Sequence, residues 1–218
     1  RSPEGWPCRQ EKMGGMAGQE STRLQRLEAV VDEFEGLDLP GRTSLNTLAV
    51  LRVGADEAVH SGVLAWLLDA TAGHGQGPLF LKVLADTLRL PIVFGRRDLY
   101  LVRREFSGLE SIIDVCVCRP GDFIIYVENK ILAGEGPEAA DRELRDMQRA
   151  GEANRVPEGR RFPVFLTPDG RPPTSGDPAP WILLSYGALE REFQALLTGM
   201  EDGKLRSFLA DWLDTIAT

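Results

Sequence analysis

Cysteine and histidine are scarce in this chain, three and two among 218 residues. Cys8, Cys116 and Cys118 show no Cys-x-x-Cys spacing, and His60 and His74 form no cluster with them, which argues against a zinc or iron–sulfur centre. Cys116 and Cys118 lie two apart on one strand-like run, a poor geometry for a mutual disulfide, and read as buried reduced thiols. No uninterrupted apolar stretch reaches membrane-spanning length, and no basic-then-apolar signal segment opens the chain. The expected location is the cytoplasm, with no membrane partner. Also missing are a Walker loop, an internal repeat, and a nucleophile elbow around Ser61, Ser185 or Ser207, which removes serine hydrolysis from the plausible chemistries.

What the chain does carry is charge inside two apolar runs near its middle. Ser111-Ile112-Ile113-Asp114-Val115-Cys116-Val117-Cys118 precedes Arg119-Pro120-Gly121-Asp122, and Phe123-Ile124-Ile125-Tyr126-Val127-Glu128-Asn129-Lys130-Ile131 follows. A charge buried in a strand is normally paired or metal-bound, because leaving it alone is costly. Side chains alternate along a strand, so Glu128 and Lys130 share one face and Asn129 takes the other. By the same alternation Ile112, Asp114, Cys116 and Cys118 share a face of the first run. The connecting loop decides whether these groups meet. A loop of three or five residues sets Asp114 opposite Glu128, whereas a loop of two pairs Asp114 with Val127 and turns it away. Pro-Gly-Asp suits three, with Asp122 in a left-handed conformation.

Two facing carboxylates repel, and one takes up a proton unless a cation sits between them. A hard divalent ion with oxygen ligands, Mg²⁺ or Mn²⁺ in its place, resolves that conflict while keeping several waters. A lysine ammonium beside it can orient an attacking water and offset charge building on a phosphorane-like transition state. The combination suits phosphodiester hydrolysis. The spacing alone is weak: with 33 acidic residues and four lysines, about one acidic-x-Lys match arises by chance. Asp202-Gly203-Lys204 is such a match and reads as a solvated turn before a helical pattern. Context separates the two, because the first has a hairpin, an upstream Asp114 at the right parity, and a further carboxylate in Arg103-Arg104-Glu105-Phe106.

With Asp114 and then Glu128-x-Lys130 on the next strand, the chain resembles the PD-(D/E)xK nuclease superfamily. Asn46-Thr47-Leu48, Glu57-Ala58-Val59-His60-Ser61, Leu64-Ala65-Trp66-Leu67-Leu68-Asp69 and Gly73-His74-Gly75 look like the amino-terminal helical part of a bacterial branch. So do Glu128-Asn129-Lys130-Ile131, Ala133-Gly134-Glu135 and Val164-Phe165-Leu166-Thr167-Pro168-Asp169-Gly170, and the resemblance covers roughly residues 44 to 215. It implies metal-dependent cleavage of nucleic acid, most often DNA, in genome defence or repair. It further implies that Asp114, Glu128 and the Asn129 backbone carbonyl hold Mg²⁺ and that Lys130 assists the water. Glu105 stands where the family often has a strand carboxylate, and Glu57 or His60 would line the same cleft from a helix.

One departure stands out. Many relatives carry a helix with a Gln and, four residues on, a Tyr facing the cleft; here those places hold Glu143 and Met147. A glutamate can still bond a water or the lysine, whereas a methionine cannot replace a phenol. The net charge of −8 also sits poorly with non-specific nucleic-acid affinity, which comes from Lys and Arg. Either positive charge is local, at Arg96-Arg97, Arg103-Arg104 or the helical stripe Arg142, Arg145, Arg149, or a partner protein delivers substrate. The alternative reading is therefore a catalytically weak or silent module of this fold that binds nucleic acid or a partner; a homodimer is left open. A third makes Asp114, Glu128 and Lys130 a structural ion-pair triad.

The organisation is α/β: a mixed central sheet flanked by helices, with the αβββαβ core order of restriction-endonuclease-like folds and an amino-terminal helical extension. Residues 1 to 20 read as a disordered leader, with Met13 or Met16 as the start, and 21 to 218 as a single domain. Thr22-x-x-Gln25 caps a helix with Leu24, Leu27, Val31 and Phe34 on one face. Helices are expected near 56–69, 78–88, 138–151, 187–197 and 205–216, and strands near 98–106, 110–118, 123–131, 162–167 and 181–185. His74 reads as a loop residue, and Trp66, Trp181 and Trp212 as core.

Overall fold

The computed structural model describes residues 45–95, 99–132 and 134–216. The leader, the Thr22 helix, Cys8, Arg96-Arg97 and Ala133 lie outside the described residues. Asn46 opens the fold by capping a short helix α1 (Thr47–Val50), its side chain accepting from Ala49 N–H. Asp56 does the same for α2 (Glu57–Leu68), taking Val59 N–H, so Glu57 falls in the first turn of that helix. After α3 (Leu79–Thr87) come β1 (Leu101–Ser107), β2 (Ile112–Arg119) and β3 (Phe123–Asn129). The crossover helix α4 (Ala139–Ala153) leads into β4 (Arg161–Thr167), and β5 (Ile182–Ser185) is followed by α5 (Tyr186–Leu197) and α6 (Gly203–Ile216).

The five strands lie in the order β1-β2-β3-β4-β5, with β1 to β3 antiparallel and β3 to β5 parallel. This is the expected mixed sheet of a restriction-endonuclease-like core. β3 is buried at every residue, as suits the strand where the two pairing modes meet. On one face Val115, Val117, Ile125, Val127, Val164 and Leu166 pack with Leu64, Phe80, Phe193 and Trp212 of α2, α3, α5 and α6. On the other, Cys116, Cys118, Ile124 and Tyr126 meet Met147 of α4. Glu128 follows Tyr126 in parity and faces α4; Asn129 follows Val127 and faces α2 and α5. The sheet therefore presents the two halves of the Glu-Asn-Lys motif to different helical layers.

The β2–β3 loop holds three residues, Pro120 to Asp122, since Arg119 pairs with Phe123. The left-handed position is Gly121, at φ 77°, and not Asp122. Asp122 instead gives its carboxylate to Arg119 and Arg160, which hold its pKa below the ordinary value against the opposing effect of burial. His74 is a loop residue, as expected, and a buried one: it bonds the Asp69 carbonyl and Gln76 N–H and stacks edge-on against Trp66 and Phe80. Cys116 and Cys118 are free and buried, and burial pushes both thiols up, which makes them inert. No helix among the described residues is long and apolar enough to cross a membrane.

Candidate active site

The β2–β3 ladder runs from Arg119↔Phe123 to Val115↔Val127. One step further the same register sets Asp114 opposite Glu128, which is the three-residue-loop outcome. The ladder stops there because the Asp114 side chain takes over: its Oδ2 accepts the Asn129 N–H at 2.8 Å. Alternation also breaks beside it, since Ile113 joins Cys116 and Cys118 in the apolar cluster while Ile112 is exposed, which corrects the expected sharing of one face by Ile112 and the cysteines. Across β1 the facing residue is Glu105, held at φ 49°, a left-handed conformation that costs energy for a non-glycine residue.

Lys130 lies one residue past the end of β3. Its N–H donates to the Leu166 carbonyl at 2.9 Å, which keeps it in line with β4. Its ammonium stands 2.6 Å from Glu128 Oε1 and 4.0 Å from Glu57 Oε2. Glu57 Oε1 in turn accepts the N–H groups of Ile131 and Leu132 at 2.7 and 3.1 Å. Thus α2 clamps the turn that follows the lysine and braces the lysine itself. Glu57, expected from the sequence to line the cleft, thus contacts both the lysine and the turn after it.

Electrostatics show how crowded this corner is. Burial raises the Asp114 pKa, with Asn129 N–H and Lys130 acting in the opposite direction and Glu57 and Glu105 adding to the rise. Burial, then Asp114, pushes Glu128 up to about 7 despite Lys130. Burial lowers Lys130, but Glu128, Asp114 and Glu57 outweigh it and leave the ammonium above its ordinary value. Glu143, reaching in from α4, is pushed up to about 9 by burial and then by Glu128. Glu128 Oε2 and Glu143 Oε2 are both buried without a hydrogen-bond partner. Native proteins rarely leave such atoms unsatisfied.

An oxygen-only donor set, two carboxylates that resist ionising together, and an unpartnered buried oxygen fit a hard divalent cation. Among the described residues no three His, Cys, Asp or Glu side chains gather into a metal-holding cluster. Two carboxylates with a backbone carbonyl leave half of an octahedral shell to water and substrate, the habit of Mg²⁺.

Other predicted residues are placed differently. Glu105 lies at the rim, more than half exposed and 3.4 Å from Arg104, with its charge still felt at Asp114. His60 is a core residue: Nδ1 accepts from Trp212 Nε1 and Nε2 bonds the Gly54 carbonyl, both at 3.0 Å, and burial lowers its pKa so that it is neutral. With both ring nitrogens committed it has nothing to offer the cleft. Arg145 and Arg149 grip Glu110 of the β1–β2 turn, Arg149 also reaches Asp146, and Arg142 bonds the Pro137 carbonyl. Asp146 completes that anchor by accepting from Leu109, Glu110 and Ser111. Met147 does not face the cleft; it is buried with Ile113 and Tyr126.

Two contributors were missed in the sequence, Ser61 and Tyr186, both of which bond the Asn129 side chain. The available signal was Tyr186 directly after a strand and a capping Ser185: a buried phenol at a strand's end needs a polar partner.

A family model for the PD-(D/E)XK nuclease superfamily matches residues 45–210. No curated protein and no solved structure matches the chain.

Proposed function

This chain belongs to the PD-(D/E)XK nuclease superfamily, and from that premise we propose that it hydrolyses phosphodiester bonds in DNA with Mg²⁺, for which Mn²⁺ substitutes. The observation that carries the reading is the meeting of Asp114, Glu128 and Lys130 at the end of β3, with Glu128 Oε2 unpartnered. Asp114, Glu128 and the Asn129 carbonyl would hold the ion. When bound, it lowers the pKa of a water and neutralises charge on the scissile phosphate.

The chain's own groups account for the rest. Lys130, kept charged by its carboxylate neighbours, orients the attacking water and offers positive charge where the phosphate gains negative charge. Glu57 fixes the turn that follows Lys130, so the ammonium does not swing with a loose loop. Burial and then Glu128 push the Glu143 pKa up to about 9 with no ion bound, and in that protonated form its carboxyl both donates and accepts, as the amide of a glutamine does in many relatives. Glu105 at the rim is an auxiliary carboxylate that acts directly on the ion or through water.

A second reading, a silent module of this fold, is favoured by one observation: Arg145 and Arg149 are engaged by Glu110 and Asp146 instead of lying open to phosphate. One experiment separates the two. Supercoiled, linear and single-stranded DNA and RNA are incubated with Mg²⁺ or Mn²⁺, beside Asp114→Ala and Lys130→Ala. The nuclease reading expects DNA cleavage that EDTA stops and both substitutions abolish. Chelator-sensitive cutting of RNA alone overturns the choice of DNA. Mn²⁺ binding without cleavage of any substrate favours the module.

A further inference from the structure

The Asn129 side chain turns away from the carboxylates into the opposite face of the sheet, and it is held there on every side. Tyr186 Oη donates to Asn129 Oδ1 at 2.7 Å, while Asn129 Nδ2 donates to Ser61 Oγ and to the Glu57 carbonyl, both at 3.1 Å. From the backbone of the same residue the N–H donates to Asp114 at 2.8 Å. One residue, 1 % exposed, thus ties the end of β3 to β2, α2 and α5. Ser61 and Tyr186 are buried with it. Both amide N–H bonds and a carbonyl lone pair are used, so the side chain has one orientation open to it.

A leucine at this position would leave the buried hydroxyls of Tyr186 and Ser61 without their partner, so the three side chains form one polar network beneath the apolar layer. What that network holds follows from its location: the residue lies between Glu128 and Lys130, and its backbone carries both the carbonyl assigned to the ion and the N–H that holds Asp114. A shift of this one residue would displace together its carbonyl and the N–H that holds Asp114. Burial raises the Tyr186 pKa, so its hydroxyl keeps the proton it donates.

Resting on the reading of this corner as a divalent-metal centre, we propose that Tyr186 and Ser61 are positioning residues, which brace the Asn129 side chain so that the oxygens of Asp114, Glu128 and Asn129 are held ready for the ion. They touch neither ion nor substrate and act through Asn129. Groups of this kind, one bond removed from ligands, change metal affinity by about 10- to 100-fold when lost.

The test uses the full chain, with Mn²⁺ binding followed by titration calorimetry, melting temperature measured alongside, and cleavage recorded as a function of Mn²⁺. Tyr186→Phe, which removes only the hydroxyl, is expected to weaken Mn²⁺ binding by about tenfold or more. Its cleavage rate is expected to recover at saturating Mn²⁺, a split that loss of folded protein does not produce. Ser61→Ala is expected to act in the same direction by a smaller factor, and it decides the matter if Tyr186→Phe fails to fold. Parent-like Mn²⁺ affinity in the folded variants overturns the brace while leaving the metal centre intact. A parent chain that binds no Mn²⁺ overturns the metal reading and the brace with it.

Discussion

The spacing of an acidic residue two before a lysine occurs at Glu128-Asn129-Lys130 and again at Asp202-Gly203-Lys204, and the two copies meet opposite fates. The first lies at the end of a fully buried strand, where residues i and i+2 project to one side, and its ammonium stands 2.6 Å from its carboxylate. The second opens α6: Asp202 Oδ1 turns back to accept the N–H groups of Lys204 and Leu205 at 2.8 and 3.1 Å, and both side chains are exposed. The acid spends itself on the helix terminus, as an N-cap does. Chemistry thus resides in the backbone conformation under the letters, together with the burial that makes the first carboxylate's charge hard to hold.

That contrast can be broken. Lys130→Ala is expected to lower DNA cleavage by about 100-fold or more through loss of the water-orienting cation, while Lys204→Ala leaves the rate unchanged in the same plasmid assay. If Lys130→Ala instead unfolds the chain by about 3–5 kcal/mol, as the loss of a partner from a buried ion pair does, the site is a structural triad. Next in size is linkage to metal. Mn²⁺ at a hundred times its dissociation constant should stabilise the parent by about 2.7 kcal/mol, read as a rise in melting temperature. Asp114→Ala should lose that rise, and Asp202→Ala should keep it; equal responses would erase the distinction between the copies.

A pH series sharpens the comparison further. Glu128 and Glu143 rise from the ordinary 4.5 to about 7 and about 9, so without metal the folded chain binds more protons than the unfolded one across that window. Stability from these groups is fully present below pH 4.5 and is lost as pH climbs through 7 and then 9. Metal-free melting temperatures should fall on the alkaline side, and Glu143→Gln should flatten the fall and melt higher than the parent at pH 9. A slope unchanged by Glu143→Gln would place its carboxyl outside the coupled site. The smallest expected effect belongs to the helix cap: Asp202→Ala should cost about 1 kcal/mol of stability in a denaturant titration and leave cleavage alone.

Much of the fold was legible because its signals are local. Short apolar runs bounded by turn residues marked the strands, longer helical patterns marked the helices, and Pro-Gly-Asp suited the three-residue loop that sets Asp114 opposite Glu128. The candidate triad followed from strand parity together with the length of that loop. What escaped was the identity of long-range partners. His60 had the right neighbours in sequence for a cleft residue, yet Trp212, 152 positions away, claims its ring. The Arg142, Arg145, Arg149 stripe had the right spacing for phosphates, yet Glu110 lies under it. Tyr186 reaches Asn129 across 57 positions; its place after a strand signals a need for a polar partner but does not name which one.

By itself the sequence determined that Glu128 and Lys130 share one side of a strand and that a short hairpin brings Asp114 alongside, because alternation and turn length are properties of a few neighbouring residues. Only the tertiary structure decided which oxygens stay unpartnered, which carboxyls remain protonated, and which side chains hold the end of β3 still. Those outcomes depend on desolvation and hydrogen bonds between segments brought together by packing the whole sheet between its helices.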